Sequence, residues 1–313
     1  MTKLACYFTT FVTTLLCTAF PAAAKVKVAA SVPDLASIAA SIGGAEAEVF
    51  SISRAGANPH SVEVLPSYMI KVARADLYLK VGLGLDGWAD PVIEGSRNTR
   101  LAVVDCSRGI AVLGKPTGVA DASLGDVHPE GNPHYWLDPA NALIIAETVR
   151  DAFQKASPGH AALFAANCEA FKAENARRLA GWKDRLRPFL AAGTVPVLTY
   201  HDSWPYFARA FDLRIAGLIE PFPGIPPTAK HLQDLLQLIP KEGVAILIKE
   251  PYFPDKDARF LGRKAGVRIL NFSPSCDGTL AGDYWTHFDR MTADLVEALA
   301  GAKGAAGSSP AGN

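Results

Sequence analysis

Hydrophobic and polar positions alternate along this chain in short blocks that predict strands followed by helices. From Val26 onward, "VKVAAS" has the pattern of a short strand, and "PDLASIAASIGG" has the pattern of a helix that ends in glycines. Three more strand patterns follow before residue 156, and after residue 190 the alternation restarts at "VPVLTY". Regular alternation predicts parallel sheets covered by helices. The predicted fold class is therefore α/β, with two lobes that each contain a four-stranded parallel sheet flanked by helices.

Between the two predicted lobes, residues 157–190 have the pattern of one long helix. Its apolar or small positions follow a spacing of three and four residues, with Asn175 filling one gap: Phe164, Cys168, Phe171, Leu179, Trp182, Leu186 and Phe189. A helix of roughly thirty residues is about 45 Å long at 1.5 Å per residue, longer than an ordinary domain helix. We predict that it is a rigid strut that joins the lobes.

The chain begins with a segment of different character. Residues 1–24 contain one cation, then an uncharged apolar run, then "PAAA". This order predicts a secretory signal peptide that is cleaved after about Ala24, and hence an exported, periplasmic protein. A transmembrane anchor is the alternative, but the segment is too short to span a bilayer comfortably.

The predicted organisation has five segments. They are a signal peptide at 1–24, an N-terminal lobe at 25–156, the linker helix at 157–190, a C-terminal lobe at 191–301, and a tail at 302–313. The tail is small and polar, and we expect it to be disordered. Residues 114–133 are rich in glycine, proline and aspartate, and they predict a long surface loop, the kind that is often functional.

Charge and cysteine content narrow the function classes. The 313 residues contain 31 Lys and Arg against 31 Asp and Glu, so no electrostatic argument favours nucleic acid. We therefore expect no nucleic-acid partner, and we expect a monomer. Without the signal peptide three cysteines remain, Cys106, Cys168 and Cys276. An odd number without CxxC spacing leaves open either one disulfide or, more simply, buried free thiols.

The candidate chemistry lies in three histidines. The triplet Asn-Pro-His occurs twice, ending at His60 and at His134, and His201 stands at the end of the "VPVLTY" strand. Each proline stiffens the backbone just before its histidine. Because the carboxyl ends of parallel strands face the binding crevice, loops from both lobes could bring these imidazoles together. Three imidazoles and a fourth oxygen or water suit tetrahedral Zn²⁺.

The other four histidines have simpler interpretations. His160, His231 and His287 lie inside helical patterns, which predicts partial exposure or a structural contact. His128 lies in the long loop, in "DVHPEGNPH", where an ordinary solvated histidine is a simpler reading than a metal-capturing one.

The chain resembles the periplasmic receptors of zinc and manganese ABC importers, the solute-binding proteins with a long linker helix. The resemblance rests on "ANPHSVEVLPSYMIKVARADLYLKVGLGLDGW", "GNPHYWLDPANA", "YHDSWPYFARAFDLRIAGLIE" and "GIPPTAKHLQDL". It implies a metal held between two lobes and a membrane permease as the partner. His60, His134 and His201 fall on the family's first three ligand positions. Manganese-type members often carry glutamate where His201 stands, so Zn²⁺ is favoured over Mn²⁺.

The sequence departs from the family at the fourth ligand, which is commonly an aspartate after the last strand. That region reads "ILNFSPSCDGTLAGD", where Asp277 comes a few residues late. Glu250, at the end of "VAILIKE", is another acid at a strand end. Asp277, Glu250 and a water molecule therefore all remain candidates. The loop before His134 also lacks the histidine-rich stretch of many zinc receptors.

Three further acids are candidates for supporting roles. Asp138 and Asp202 could accept the second ring N–H of a ligand histidine and so fix its tautomer. Capping of the helix that follows is the alternative for each of them. Glu220, in "IEPFPGIPP", is expected either to order a loop near the site or to be an ordinary surface acid.

The function predicted from these features is a non-enzymatic receptor that binds Zn²⁺ and delivers it to an ABC permease. One alternative is a secreted zinc hydrolase, because three histidines and an open position resemble a catalytic site. The chain has neither HExxH nor GxSxG, which argues against it. A receptor for a metal chelate or cofactor on the same scaffold is the other alternative, and three convergent histidines argue against that one.

Overall fold

The structure is a computed structural model that describes residues 24–116, 128–190 and 193–307. The predicted signal peptide, apart from Ala24, and most of the predicted loop at 114–133 lie outside the described residues. Within them, no helix has the length and apolar character needed to cross a membrane.

The N-terminal lobe contains one parallel sheet of four strands in the order β2-β1-β3-β4. Its elements are β1 (Val26–Ala30), α1 (Pro33–Gly43), β2 (Ala47–Ser51), α2 (Pro66–Val72), β3 (Leu77–Lys80), α3 (Ala89–Ser96), β4 (Ala102–Asp105) and α4 (Asn141–Ala156). The central strand β3 is almost wholly buried, as expected for a strand covered on both faces.

After the linker helix α5 (Ala161–Leu186), the C-terminal lobe repeats this arrangement with the parallel order β6-β5-β7-β8. Its elements are β5 (Val195–Thr199), α6 (Pro205–Ala210), β6 (Leu213–Leu218), α7 (Ala229–Glu242), β7 (Ile246–Lys249), α8 (Asp255–Ala265), β8 (Arg268–Asn271) and α9 (Asp283–Gly307). The predicted fold class is confirmed.

The last helix corrects one prediction. Helix α9 continues to Gly307, so residues 302–307, which we expected to be disordered, are helical. Three of these six residues are alanine, the residue with the highest helix propensity, and they favour continuation of the helix, whereas Gly304 and Gly307 oppose it. Residues 308–313 lie outside the described residues.

Helix α5 is the predicted strut. Its 26 residues make it about 39 Å long, and short 3₁₀ turns extend it at both ends, at Pro158–His160 and Arg187–Phe189. Most of the predicted face is buried: Phe164, Cys168, Phe171, Asn175, Trp182 and Leu186. Leu179 and Phe189 are partly buried and pack against the core. This face packs on α1 and α4 of the first lobe and on α9 of the second. The helix therefore joins both lobes to one hydrophobic core that is continuous between them.

The lobes are also joined by hydrogen bonds that involve the loop after β8 and the start of α9. The Trp136 indole N–H donates to the carbonyl of Pro274 at 2.6 Å, and the Tyr284 hydroxyl donates to the carbonyl of Trp136 at 2.8 Å. The backbone N–H of Cys276 donates to the buried carboxyl of Asp34 in α1. Cys106, Cys168 and Cys276 are free and buried, so no disulfide forms among them.

Candidate metal centre

Three loops at the carboxyl ends of strands carry the predicted histidines to one place. His60 lies in the loop between β2 and α2, and His201 lies two residues after β5. His134 lies just before the 3₁₀ turn that leads into α4. Each of the three offers a ligand nitrogen, and these atoms all lie within 4.8 Å of one another. The structure thus brings together the three histidines that the sequence singled out.

The spacing of the rings suits a small cation. The Nε2 atoms of His60 and His134 are 3.0 Å apart, and the ring centroids of His201 lie 5.4 Å from His60 and 6.0 Å from His134. Zn–N bonds of about 2.0–2.1 Å in a tetrahedron separate two ligand nitrogens by about 3.3 Å. The His60–His134 pair is near this separation. The other pairs of nitrogens would have to approach by at most about 1.5 Å to reach it.

The asparagine of each Asn-Pro-His triplet explains the repeated motif. The backbone N–H of His60 donates to Asn58 Oδ1 at 3.0 Å, and that of His134 donates to Asn132 Oδ1 at the same distance. In both cases the amide oxygen accepts from the residue two positions later, which is an Asx turn. Together with the intervening proline, this contact fixes the backbone that presents the imidazole.

The loop that holds His60 is anchored at a second point. The Trp88 indole N–H, from the segment between β3 and α3, donates to the carbonyl of Pro59 at 2.9 Å. On the other side of the site, Gly131 has φ +109°, and a Cβ there would lie 2.5 Å from Val112 Cγ1. Only glycine fits this conformation and space, which places Asn132 and His134 at the crevice.

His201 is oriented by Glu220, which lies two residues after β6. Nδ1–H of His201 donates to Glu220 Oε2 at 2.7 Å, so Nε2 is left as the ligand atom of the neutral ring. The same carboxylate oxygen accepts the Gly224 backbone N–H at 3.2 Å. Glu220 therefore orders the loop beside the site, as one of its two predicted roles required. Its contact with the His201 ring was not predicted.

Burial and charge act differently on two of the rings. His134 is fully buried, and this burial together with the neighbouring histidines holds its pKa well below the ordinary value. Burial therefore favours the neutral ring, which is the form that can bind a metal. Burial also lowers the pKa of His201, but the Glu220 hydrogen bond and the nearby acidic charges outweigh it and raise the pKa overall. Of the two, His201 is the ring with which protons compete.

A cavity of about 130 Å³ opens beside the three histidines. His128 lines it together with His134 and His201, and the ring of His128 stacks on His60 with centroids 5.1 Å apart. His128 therefore borders the candidate site, and its packing on His60 was not predicted. Chain spacing could have pointed to it, because it comes six residues before His134.

Neither predicted candidate for a fourth ligand belongs to the three-histidine group. Asp277 is exposed and forms an ion pair with Arg290 of α9. Glu250 is fully buried, and its Oε1 accepts the Trp204 indole N–H at 2.9 Å. Burial raises the pKa of Glu250 to about 7, although the positive charge of nearby His201 opposes this rise.

The two acids predicted to hold ligand rings have other partners. Asp138 accepts the backbone N–H of Ala140, just before α4, and forms an ion pair with Arg209. The N-cap position of α4 is Ala140 rather than Asp138. Asp202 accepts from the amide of Asn132 at 3.2 Å. Neither Asp138 nor Asp202 accepts a hydrogen bond from the imidazole of His134 or His201. The Nδ1 atom of His134 is bonded to Asn132, and that of His201 is bonded to Glu220.

The three histidines in helical patterns make structural contacts outside the three-histidine group, as those patterns predicted. His160 contacts Ser157, His231 bonds to the carbonyl of Leu218, and His287 bonds to the carbonyl of Ser273. His287 is buried in the second lobe, so its replacement would disturb packing. His160 and His231 are better controls for substitution experiments.

Comparison with known proteins places the chain among metal receptors. The family model described as zinc-uptake complex component A, periplasmic (ZnuA) matches residues 28–298. The iron-binding protein YfeA of Yersinia pestis is 28% identical over 257 residues, covering 79% of this chain and 76% of its own. The high-affinity zinc uptake system protein ZnuA of Haemophilus influenzae is 27% identical over 323 residues, covering 90% and 95%.

A crystal structure of ZnuA has the same fold. It superposes with a TM-score of 0.75 at 23% identity and covers 88% of this chain and 99% of that one. The family and its structural relatives are solute-binding receptors rather than enzymes, which disposes of the hydrolase alternative. Because the family match extends over most of the described residues, this chain belongs to the zinc-uptake component A family, the periplasmic metal-binding proteins of ABC importers.

Proposed function

We propose that this protein is an exported receptor that binds one Zn²⁺ ion between its lobes through His60, His134 and His201. The observation that carries the proposal is the convergence of three imidazoles from both lobes, with ligand atoms within 4.8 Å of one another. Their orienting partners, Asn132 and Glu220, leave Nε2 of His134 and His201 available. A tight site with few, well-held ligands is what a receptor needs to capture a scarce ion.

The donor set supports zinc as the cargo. Imidazole nitrogens suit zinc, whereas manganese favours carboxylate, carbonyl and water oxygens. No carboxylate joins the three-histidine group among the described residues. One relative is named for zinc and another for iron, so a competition experiment between Zn²⁺, Fe²⁺ and Mn²⁺ belongs in the test.

Delivery to a membrane permease is the second part of the proposal, and it rests on the family. We further propose that the protein is exported by a signal peptide cleaved after about Ala24 and that it acts as a monomer. The proposed segments are two lobes joined by residues 157–190, a linker that contacts helices of both lobes.

The sizes of two cavities favour a receptor for a bare metal ion over a receptor for a large chelate. The cavity beside the histidines has a volume of about 130 Å³, enough for an ion and a few waters but not for a drug-sized ligand. A larger cleft of about 620 Å³ lies beside β4, and none of the seven histidines lines it.

The experiment that tests the proposal is metal analysis of the protein purified without added metal, followed by zinc titration of single variants. We expect one Zn²⁺ per chain. Each of His60→Ala, His134→Ala and His201→Ala should weaken zinc binding more than about 100-fold, beyond the range typical of losing an outer-shell partner.

His160→Ala and His231→Ala are the matched controls and should bind zinc as the unaltered protein does. The proposal fails if the three site variants bind zinc with unchanged affinity. It also fails in its choice of metal if iron or manganese displaces zinc at equal concentration.

A further inference from the structure

Asn132 makes hydrogen bonds that reach both lobes at the candidate metal centre. Its Oδ1 accepts from the backbone N–H and from the ring Nδ1–H of His134, each at 3.0 Å. Its Nδ2 donates to the backbone carbonyl and to the carboxylate of Asp202, at 2.6 and 3.2 Å. His134 belongs to the first lobe, whereas Asp202 belongs to the second and is the direct chain neighbour of His201.

These four contacts are chemically consistent with only one orientation of the Asn132 amide. A backbone N–H must find an acceptor, and a carbonyl and a carboxylate must find donors, so the oxygen faces His134 and the nitrogen faces Asp202. It follows that Nδ1 of His134 carries the ring proton. Its Nε2, which lies 3.0 Å from Nε2 of His60, therefore holds the lone pair.

The backbone of Asn132 is held as firmly as its side chain. Its N–H donates to the carbonyl of Leu113 at 2.8 Å, and its carbonyl accepts the hydroxyl of Tyr206, from α6 of the second lobe, at 3.0 Å. The residue is 6% exposed, so water does not compete well for these contacts. A buried amide with all its donors and acceptors satisfied is a rigid reference point for the ring beside it.

We propose that Asn132 is a positioning residue with two separable actions: it selects the His134 tautomer that can bind metal, and through Asp202 it holds the His201 loop in register with the first lobe. The inference rests on the proposed function. Asn58, the equivalent residue of the other Asn-Pro-His triplet, supports the backbone of His60, but among the described residues its amide has no hydrogen bond to the second lobe.

Substitutions can separate the two actions. Asn132→Ala removes both. Asn132→Asp keeps an acceptor for the His134 ring but places a carboxylate against that of Asp202, so the contact between the lobes becomes repulsive. Adding Asp202→Asn restores a donor–acceptor pair between the two side chains, whereas the backbone carbonyl of residue 202 still faces an oxygen instead of a donor. The double variant also has the net charge of the unaltered protein, which removes any general electrostatic effect on cation binding.

Two measurements on these variants test the inference. The ¹⁵N chemical shifts of the His134 ring, assigned with His134→Ala, report its tautomer in metal-free protein. Zinc titration reports the affinity. We expect the Nδ1–H tautomer in the unaltered protein, in Asn132→Asp and in the double variant, and a mixture of tautomers in Asn132→Ala. We expect Asn132→Ala and Asn132→Asp to lose about 10- to 100-fold in affinity. The double variant should recover part of this loss, because only the contact between the two side chains is restored.

Three outcomes would overturn the inference. They are a pure Nδ1–H tautomer together with unchanged affinity in Asn132→Ala, an Asn132→Asp variant that binds zinc as the unaltered protein does, and a double variant no better than Asn132→Asp. Asn58→Ala is the matched control and should leave the His134 tautomer unchanged. If the unaltered protein binds no zinc, the proposed function fails, while the tautomer measurement still tests the first action of Asn132.

Discussion

At the scale of single residues, Glu220 and His201 decide how acid affects metal binding. The raised pKa of His201 means that this ring takes up a proton at a higher pH than an ordinary histidine. A protonated imidazole cannot bind a metal, so zinc must displace that proton. His134, whose pKa is held well below the ordinary value by burial, adds no competition in the same range.

We therefore expect zinc affinity to fall as the pH decreases. The fall should begin above about pH 6.5, the ordinary histidine pKa, and the decrease in affinity should approach tenfold per pH unit. Glu220→Gln removes the charge that favours the protonated ring, so the onset should move to lower pH. The affinity at pH 8 should decrease, because the ring loses a charged partner. Zinc titration between pH 5.5 and 8 checks both, with Glu242→Gln at a surface ion pair as the control. Constant affinity between about pH 7.5 and 5.5 would contradict a three-histidine site.

Also at this scale, the contacts of Asp277 and Glu250 suggest that neither acid completes the metal site. Asp277 already pairs with Arg290, and Glu250 holds the indole of Trp204. We expect Asp277→Asn to bind zinc within about twofold of the unaltered protein, and Glu250→Gln, which keeps an acceptor for Trp204, to lose less than tenfold, a change of less than about 1.4 kcal/mol. Zinc titration of both variants is the measurement. A larger loss in one of them would identify that acid as the fourth ligand.

At the scale of elements, helix α5 is supported both by its buried face and by a sequence rich in alanine, the strongest helix former. Asn175 occupies a buried position on that face, but its side chain is paired: its Nδ2 donates to the carbonyl of Pro139 and its Oδ1 accepts the Trp285 indole N–H. The helix therefore has no break at this polar position. Its weak point is Gly181, an exposed glycine in the helix interior.

Gly181→Ala should raise the free energy of unfolding by about 1 kcal/mol, because alanine restricts the unfolded chain and favours helix. A Cβ at this position would meet no atom within 4 Å. Denaturant unfolding checks the change, and zinc affinity should stay the same. Gly43→Ala in α1 is the contrasting variant, since its Cβ would collide with Ala47 and Phe153, and it should destabilise the protein. A Gly181→Ala variant that is less stable than the unaltered protein would contradict the open, helical environment of Gly181.

At the scale of the whole molecule, Asp34 is buried where α1 of the first lobe meets the loop after β8. Its carboxyl accepts the Cys276 backbone N–H, while burial raises its pKa to about 7 from an ordinary value of 3.8. Because the folded state binds this proton more tightly than the unfolded state, protonation stabilises the fold. The contribution is therefore lost as the pH rises from about 4 through 7.

Asp34→Asn keeps the acceptor for Cys276 and removes the titration. Relative to this variant, the unaltered protein should lose about 2 kcal/mol of unfolding free energy between pH 5 and pH 7. Denaturant unfolding of both metal-free proteins at the two pH values measures the difference. Asp151→Asn, at an exposed position, is the control. Because this variant retains Asp34, its unfolding free energy should follow the pH profile of the unaltered protein. Parallel pH profiles for Asp34→Asn and the unaltered protein would mean that Asp34 is ionised without cost in the fold.

The elements of this fold follow from local sequence, because helix and strand periodicities depend on residues a few positions apart. This is why the eight strands and the long helix were predictable. The placement of His60, His134 and His201 at one crevice was predictable for a related reason, since parallel strands send their carboxyl ends to one edge. The Asx turn of each Asn-Pro-His triplet is also a local feature, and the two-residue spacing could have revealed it.

Only the tertiary structure decided which groups surround the three rings. Asn132 reaches Asp202, which is 70 residues away along the chain, and Cys276 reaches Asp34, which is 242 residues away. Such pairs depend on how the two lobes pack across α5, and no local periodicity encodes that packing. The same holds for Asp138 and Asp277, whose carboxyls are taken by arginines from other elements, Arg209 and Arg290. Sequence therefore determined the candidate ligands and the scaffold, whereas the packing of the lobes determined which partners orient the three rings.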